Sequence, residues 1–176
     1  MTVTIRRIIA IAIIIVALVA IVLIVRACRA PAVKPVAIKS GESTKLGGIN
    51  WSVISVLKTR DVGQADAKVT APDWFLIVDF YLTNIGDQKV TLKPEAFTLK
   101  DGAGKTYLID KKATDAQIKG LANPKLVSVY SASILVKEKQ RVVMVFAIPE
   151  AATKLMLNVD GAAIGADRNL QIDLGF

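Results

Sequence analysis

The chain has 176 residues, of which 53% are hydrophobic and 22% charged, and its formal net charge is +8. A composition this apolar excludes a disordered chain, and the length predicts one domain with an appendage. Without histidine, and with one cysteine, the chain can form neither an intrachain disulfide nor a histidine-based metal site or triad. Residues 1–39 carry six basic and no acidic side chains, whereas residues 40–176 carry 17 basic and 15 acidic ones. The nearly neutral domain argues against nucleic-acid binding.

The N-terminal segment contains an unbroken run of eighteen Ile, Leu, Val and Ala residues from Ile8 to Val25. A helix of this length spans about 27 Å, close to the roughly 30 Å hydrocarbon core of a bilayer. In lipid the backbone can bond only to itself, so a helix is expected. The sequence therefore predicts a transmembrane anchor over residues 1–29. Four flanking basic side chains are expected at the membrane surfaces: Arg6, Arg7, Arg26 and Arg29.

Other interpretations of this segment stay open. A small residue followed by Cys28 is what lipidation of a lipoprotein needs, although Arg26 departs from the usual small or apolar residue. A cleaved secretory signal is disfavoured because its apolar region is normally about 7–15 residues long. A pilin-like filament subunit is disfavoured because no Gly or Ala precedes the apolar run.

The orientation of the anchor is predicted with the N-terminus inside. The basic residues on the two sides of the run nearly balance, so the positive-inside rule does not decide alone. A short N-terminal tail more commonly stays in the cytoplasm. We therefore expect a single-pass protein of the cell membrane with its C-terminal domain outside the cytoplasm.

Residues 30–45 are rich in Pro, Ser and Gly and are predicted to form an extended linker, with one short strand at 36–39. Residues 46–176 then form the domain. In the run 74–83, Trp74 and every second residue after it are apolar, which predicts a core face with a mixed outer face opposite. Further runs predict strands at 49–57, 89–92, 96–100, 105–109, 128–136, 141–148, 154–159 and 170–174.

Eight or nine short strands without strand–helix alternation predict an all-β fold, an immunoglobulin-like antiparallel β-sandwich. Only residues 110–122 favour a short helix. The Asn84–Asp87 stretch predicts a turn. The aromatic residues on apolar faces are expected in the core, and Tyr81 and Tyr130 are expected to be more exposed: the core set is Trp51, Trp74, Phe97, Tyr107 and Phe146.

Two features of the sequence suggest a phosphate-binding or catalytic site, but a structural role explains each of them better. Residues 102–106 resemble the end of a phosphate-binding loop, but Leu99 replaces the required Gly and a strand follows the Lys. Asp79 lies inside a strand on its polar face, where a cross-strand lysine is the ordinary partner. No catalytic residue, cofactor or metal ligand is therefore predicted.

The order of several short motifs carries a family resemblance. They are Trp51-Ser52-Val53, Phe75–Asp79, Thr83–Asp87, Val90–Leu92, Phe97–Asp101, Gly104–Tyr107 and Val145–Pro149. This pattern resembles an uncharacterised family of bacterial and archaeal extracytoplasmic domains that shares the immunoglobulin-like fold of a secreted mycobacterial immunoprotective antigen. The family usually has a Pro-Gly turn where this chain has residues 137–140. The resemblance implies a location outside the cytoplasm and supplies no catalytic residues.

These observations together predict a non-catalytic binding or assembly module, anchored in the lipid bilayer, that uses a sheet face or an edge strand. Another cell-envelope protein is the expected class of partner. The sequence does not indicate which ligand the domain binds or which oligomeric state it adopts.

Overall fold

The computed structural model describes residues 34–121, 123 and 125–176. The predicted anchor, with Arg6, Arg7, Arg26, Arg29 and Cys28, lies outside the described residues. Within the described part, no helix is both long and apolar enough to cross a membrane.

The described chain forms twelve strands and one α-helix, α1 (Lys111–Leu121), which occupies the stretch where a helix was expected. Short 3-10 turns lie at Ala65–Ala67, Pro94–Ala96 and Ala162–Ile164. The strands are β1 (Val36–Lys39), β2 (Ser43–Leu46), β3 (Ile49–Val62), β4 (Val69–Asn84), β5 (Val90–Thr91), β6 (Phe97–Lys100), β7 (Thr106–Tyr107), β8 (Leu126–Ser128), β9 (Ser133–Ile134), β10 (Lys139–Ile148), β11 (Met156–Val159) and β12 (Leu170–Asp173).

Two five-stranded sheets confirm the predicted β-sandwich. One has the order β1-β12-β11-β6-β7 and the other β2-β3-β4-β10-β8, while β5 and β9 form a separate ribbon. The expectation of a wholly antiparallel sandwich is wrong at two pairs, because β1 runs parallel to β12 and β8 parallel to β10. The strand count also exceeds the expected eight or nine, since the run 128–136 divides into two strands and β1 and β2 form in the expected linker.

The main core lies between the two sheets. The inward-facing residues of β4 are fully buried where β4 crosses the centre of the sandwich, as the alternation predicts. Trp51 of β3 packs edge-on against Phe80 at 6.4 Å between ring centroids and against Phe97 at 6.1 Å. The indole Nε1 of Trp51 donates a hydrogen bond to the carbonyl of Leu46 at 3.2 Å, so its buried polar atom is satisfied.

The outer face of β4 differs from the prediction of a mixed, partly solvated face. Phe75, Ile77 and Asp79 are all buried there, and α1 covers the first two. Asp110 precedes the helix, and its carboxylate accepts the amide of Ala113 at 2.9 Å in the manner of an N-cap. A second, smaller core therefore lies beneath α1, on the side of the sheet that the alternation pattern assigned to solvent.

Strands also extend into the segment expected to be a linker. The folded unit begins at Lys34, and residues 36–39 and 43–46 form β1 and β2. The predicted strand at 128–136 is divided by a turn, in which the hydroxyl of Ser128 accepts the amide of Tyr130 at 3.2 Å.

The turn that departs from the family pattern is nevertheless tight. The amide of Glu138 donates to the carbonyl of Leu135 at 3.0 Å, and the carboxylate of Glu138 accepts the amide of Leu135 at 2.7 Å. Lys137 takes the left-handed conformation with φ of 63°, where a glycine would be unstrained. The side chain of Glu138 thus helps to close a turn that lacks a glycine.

Candidate binding surface

The segment resembling a phosphate-binding loop is a hairpin turn between β6 and β7. One oxygen of the Asp101 carboxylate accepts the amides of Ala103 at 3.0 Å and Lys105 at 2.9 Å. The other oxygen accepts the hydroxyl of Tyr107 at 2.7 Å. The amides that a phosphate would need are therefore already bonded to Asp101, which confirms the turn. Burial and this hydrogen bond raise the pKa of Tyr107 to about 12, and the same hydrogen bond lowers the pKa of Asp101.

Asp79 forms an ion pair, with Arg141 of β10 in place of the expected lysine. Its carboxylate is buried and accepts Nε of Arg141 at 2.9 and 3.0 Å, with a further bond from Nη2. Hydrogen bonding to Asp79 raises the pKa of the Arg141 guanidinium. A carboxylate held by a guanidinium in this way is suited to structure, not to proton transfer.

The aromatic residues largely follow the prediction. Trp51, Phe97, Tyr107 and Phe146 are buried. Tyr81 and Tyr130 are each 37% exposed, as expected. The remaining member of the predicted core set, Trp74, is an exception.

Trp74 is only partly buried, at the far end of the inner face. Lys58 and Arg60 lie over its ring, at 5.2 and 5.0 Å from the centroid. Two cations on one indole stabilise the side chain where the second sheet no longer covers it. The period-two pattern places Trp74 on the correct face but does not indicate where the opposing sheet ends.

One edge of β3 is open over much of its length. β2 pairs with β3 only as far as Ser52. In the part of the chain that the structure describes, no strand pairs with this side of β3 over residues 53–62. Ten residues of extended strand span about 33 Å. The register against β4 shifts at two points: Ile54 is an extra residue on β3, and between Thr59 and Asp61 the single residue Arg60 lies opposite residues 71–74 of β4.

The side chains on this edge divide it into two parts. Lys58, Arg60 and Asp61 place charges along its second half, a common protection against unwanted strand pairing. The first half, Ile54 to Leu57, carries no charge, and its two large apolar side chains are 40% and 55% exposed. The first half therefore combines unpaired backbone with exposed apolar side chains. We call residues 53–57 the open edge.

The outer sheet face beside the open edge is polar and aromatic. Ser52 lies opposite Tyr81 on β4, and Arg141 of β10 lies on its other side. The ammonium of Lys139 stands 4.0 Å from the ring centroid of Tyr81. α1 does not cover this half of the face, so the open edge and Tyr81 belong to one accessible surface.

A cavity of about 440 Å³ opens at the end of the sandwich where the chain enters at Lys34. Its lining includes Gly47, Gly48, Gly86 and Gly165 together with the polar turn after β4. The side chain of Asn84, buried beside it, donates to the carbonyls of Gln88 at 2.7 Å and Ile134 at 3.0 Å. Its oxygen accepts the amide of Gly86 at 3.0 Å, which confirms the predicted turn. Both hydrogens of the Asn84 amide are therefore used to stabilise the turns.

The described residues contain no group of three or more His, Cys, Asp or Glu side chains arranged to hold a metal ion. The open edge could not be predicted from the sequence, because β2 has no alternation of apolar and polar residues. Nothing in the sequence therefore indicates where the pairing of β2 with β3 ends. The exposed Ile54 and Leu57 in a strand-forming run are the only signal that points to it.

Comparisons with known proteins support the fold. Residues 38–169 match the model of a family described as a domain of unknown function, DUF4352. No curated protein matches the sequence.

Three solved structures have the same sandwich. The yjhA protein of Bacillus subtilis has a TM-score of 0.58 at 16% identity, covering 77% of this chain and 98% of that one. The secreted protein MPT63 of Mycobacterium tuberculosis has a TM-score of 0.54 at 14% identity, covering 81% and 99%. The candidate lipoprotein ycdA of B. subtilis has a TM-score of 0.50 at 14% identity, covering 77% and 39%. At these identities the likeness shows the fold alone.

Proposed function

Because the chain belongs to the DUF4352 family, a domain of unknown function, we propose from its own residues that it is a membrane-anchored binding module outside the cytoplasm. Residues 8–25 form the anchor, with Arg6 and Arg7 on the cytoplasmic side and Arg26 and Arg29 on the other. The domain presents the open edge to an extended segment of another cell-envelope protein. It catalyses no reaction.

The single observation that supports binding is the open edge. An extended peptide adds to such an edge through backbone hydrogen bonds, and exposed side chains beside it select the sequence. Ile54 and Leu57 provide apolar contacts, and Tyr81 widens the contact onto the sheet face. Since the second half of the edge is charged, the peptide is expected to pair with residues 53–57, on either side of the bulge at Ile54.

Localisation outside the cytoplasm is supported by the apolar run and by two of the similar structures. MPT63 is a secreted protein, and ycdA is a candidate lipoprotein. Lipidation at Cys28 is the alternative form of anchoring, and it leaves the domain and its open edge unchanged.

The anchor is tested by intact mass and by Cys28→Ser. Eighteen apolar residues without a charge are enough to hold the chain in a bilayer, so the variant should stay in the carbonate-washed membrane fraction. Protease added to intact spheroplasts should then remove the domain. A mature protein that begins at an acylated Cys28 would show that a lipid, and not the helix, anchors the chain. Cleavage only after lysis would reverse the orientation.

Binding is tested by charging the open edge. The double variant Ile54→Lys/Leu57→Lys should lose the envelope proteins that co-purify with the wild type in mild detergent, since charges on an edge oppose strand pairing. Leu108→Lys is the matched control, because Leu108 is 71% exposed on another surface. Partners are compared quantitatively by mass spectrometry.

Each outcome of this experiment decides whether the open edge is the binding site. Loss with the double variant and retention with Leu108→Lys support it. Equal sets of partners in all three samples would contradict it. Loss of self-association alone would make the partner a second copy of this chain.

A further inference from the structure

We propose that the end of the sandwich where the chain enters rests on the bilayer surface and inserts three apolar side chains into it. The three are Ile85, Leu135 and Val136, and we call this region the Lys34 end. The inference rests on the membrane anchoring proposed above, and it assigns the domain a fixed orientation on the membrane.

Hydrogen bonds connect the point of entry to the loops at this end. The amide of Val36, at the start of β1, donates to the carbonyl of Asn169 at 2.9 Å. The side chain of Asn169 in turn accepts the amide of Gly161 at 2.9 Å. The loop that follows packs on the β2–β3 turn so closely that a Cβ on Gly47 would lie 3.0 Å from the carbonyl oxygen of Ile164.

The same β2–β3 turn holds the loops that carry the apolar side chains. The carbonyl of Gly48 accepts the amides of Ile85 at 2.8 Å and Gly86 at 3.0 Å. The amide of Lys137 donates to the carbonyl of Asn84 at 3.0 Å. The loop after β4 and the turn before β10 therefore lie side by side, at the end where the chain enters.

The apolar side chains on these two loops point into solvent. Ile85 is 50% exposed, Leu135 57% and Val136 42%. Hydrogen bonds hold the backbones of Ile85 and Leu135, and Val136 lies between the bonded residues Leu135 and Lys137. Three exposed aliphatic side chains on neighbouring rigid turns are typical of a surface that contacts an apolar phase.

The length of chain before Lys34 supports the bilayer as that phase. Eight residues, 26–33, separate the apolar run from Lys34. Fully extended, they span at most about 30 Å, so the Lys34 end stays close to the membrane surface. The far end of the sandwich, at the turn 101–105, lies at the opposite ends of the strands.

Charge at the Lys34 end also fits a membrane surface. Lys34, Lys89, Lys137 and Arg168 are exposed there, together with Asp87, Asp160 and Asp167. The carboxylate of Glu138 accepts the amide of Leu135, and Asp167 forms an ion pair with Arg168. The exposed cations on these loops therefore exceed the exposed carboxylates by one, a small excess that favours anionic headgroups.

The test uses the full chain in vesicles of phosphatidylcholine, with and without phosphatidylglycerol. In a Cys28→Ser background, which leaves no other thiol, a fluorophore sensitive to polarity is attached at Leu135→Cys. Ala103→Cys in the exposed turn at the far end is the control. Nitroxide-labelled lipid should quench the probe at 135 and spare the probe at 103. Aqueous iodide should do the reverse, and anionic lipid should strengthen the difference.

The outcomes separate this inference from the proposed function. If carbonate-washed membranes retain the labelled chain but iodide quenches both probes equally, the docked orientation is wrong and the anchor stands. A labelled chain that leaves the membrane fraction would overturn the anchor and the docking together. Equal quenching of both probes by nitroxide lipid would show the domain lying on its side, which also overturns the inference.

Discussion

Strands β3 and β4 are neighbours in one sheet, yet their surroundings differ. β4 is paired on both sides, by β3 and β10, and its central residues are buried on both faces. β3 is paired on both sides only as far as Ser52, and beyond it Ile54 and Leu57 are exposed. The difference teaches that burial of a strand depends on its neighbours as much as on its own apolar pattern. β4 stabilises the fold, whereas β3 beyond Ser52 leaves one side of its backbone without a paired strand among the described residues.

Shortening a core side chain of β4 should have the largest effect. Phe80→Ala removes a fully buried ring that contacts Trp51 and should cost about 3–5 kcal/mol of unfolding free energy. Leu57→Ala on the open part of β3 is the control and should cost less than about 1 kcal/mol. Urea unfolding of residues 34–176, the compact unit, measures both. Equal losses of unfolding free energy in Phe80→Ala and Leu57→Ala would contradict the distinction between the two strands.

Breaking the ion pair on the outer face of β4 should have an intermediate effect. Arg141→Ala leaves the Asp79 carboxylate buried without its partner, since the side chain of Asp79 is only 5% exposed. The side chain of Arg141 is 29% exposed, so the loss should be about 2–3 kcal/mol, below that of a fully buried pair.

Two further variants sharpen this test. Asp79→Leu/Arg141→Leu should recover most of the loss, because it removes both charges together. Ser55→Ala, directly opposite Asp79 on β3, should change the unfolding free energy very little. If the double variant is as unstable as Arg141→Ala, the ion pair contributes more to the unfolding free energy than the cancelling of two buried charges.

The smallest effect is expected where β3 and β4 meet at their far end. A hydrogen bond from Thr70 on β4, followed by one from Lys68, lowers the pKa of Asp61 on β3 below its ordinary value of 3.8. A lowered pKa in the folded state means that the stabilisation is present above pH 3.8 and is lost as the pH falls through the folded-state pKa. Carboxyl NMR titration should therefore give a midpoint below 3.8, and Thr70→Ala should raise it. If Thr70→Ala leaves the midpoint unchanged, the hydrogen bond from Thr70 does not stabilise the charged form of Asp61.

Much of the sandwich is predictable from sequence because two-residue alternation is a local signal. Apolar residues at every second position of 74–83 identify β4 and its inward face. The outward face is not predictable in the same way, because its burial depends on α1, which comes from a distant part of the chain. Phe75 and Ile77 are apolar on that side, but polar residues follow them, so the pattern indicates a mixed face.

The open edge depends on a different kind of information. Whether β3 has a neighbour beyond Ser52 is decided by where β2 begins, and β2 is a short polar strand within a Pro- and Gly-containing stretch. Strand propensity reports how well a side chain fits a half-buried pleated surface, and it does not indicate how far a neighbouring strand extends. The apolar run 8–25, by contrast, predicts an anchor from the sequence alone, because its length as a helix matches the thickness of a bilayer core.

The parallel pairing of β1 with β12 has a mechanical consequence. The four residues of β1 pair in register from Val36 with Leu170 to Lys39 with Asp173, and β1 directs its first residue towards the Lys34 end. A pull on Lys34 against a load held at the C-terminal end acts along β1, so all of these contacts bear force together. Strands loaded in this direction shear as a unit instead of unzipping one bond at a time. β1 therefore resists being pulled away from β12 when force acts between Lys34 and the C-terminal end of the domain.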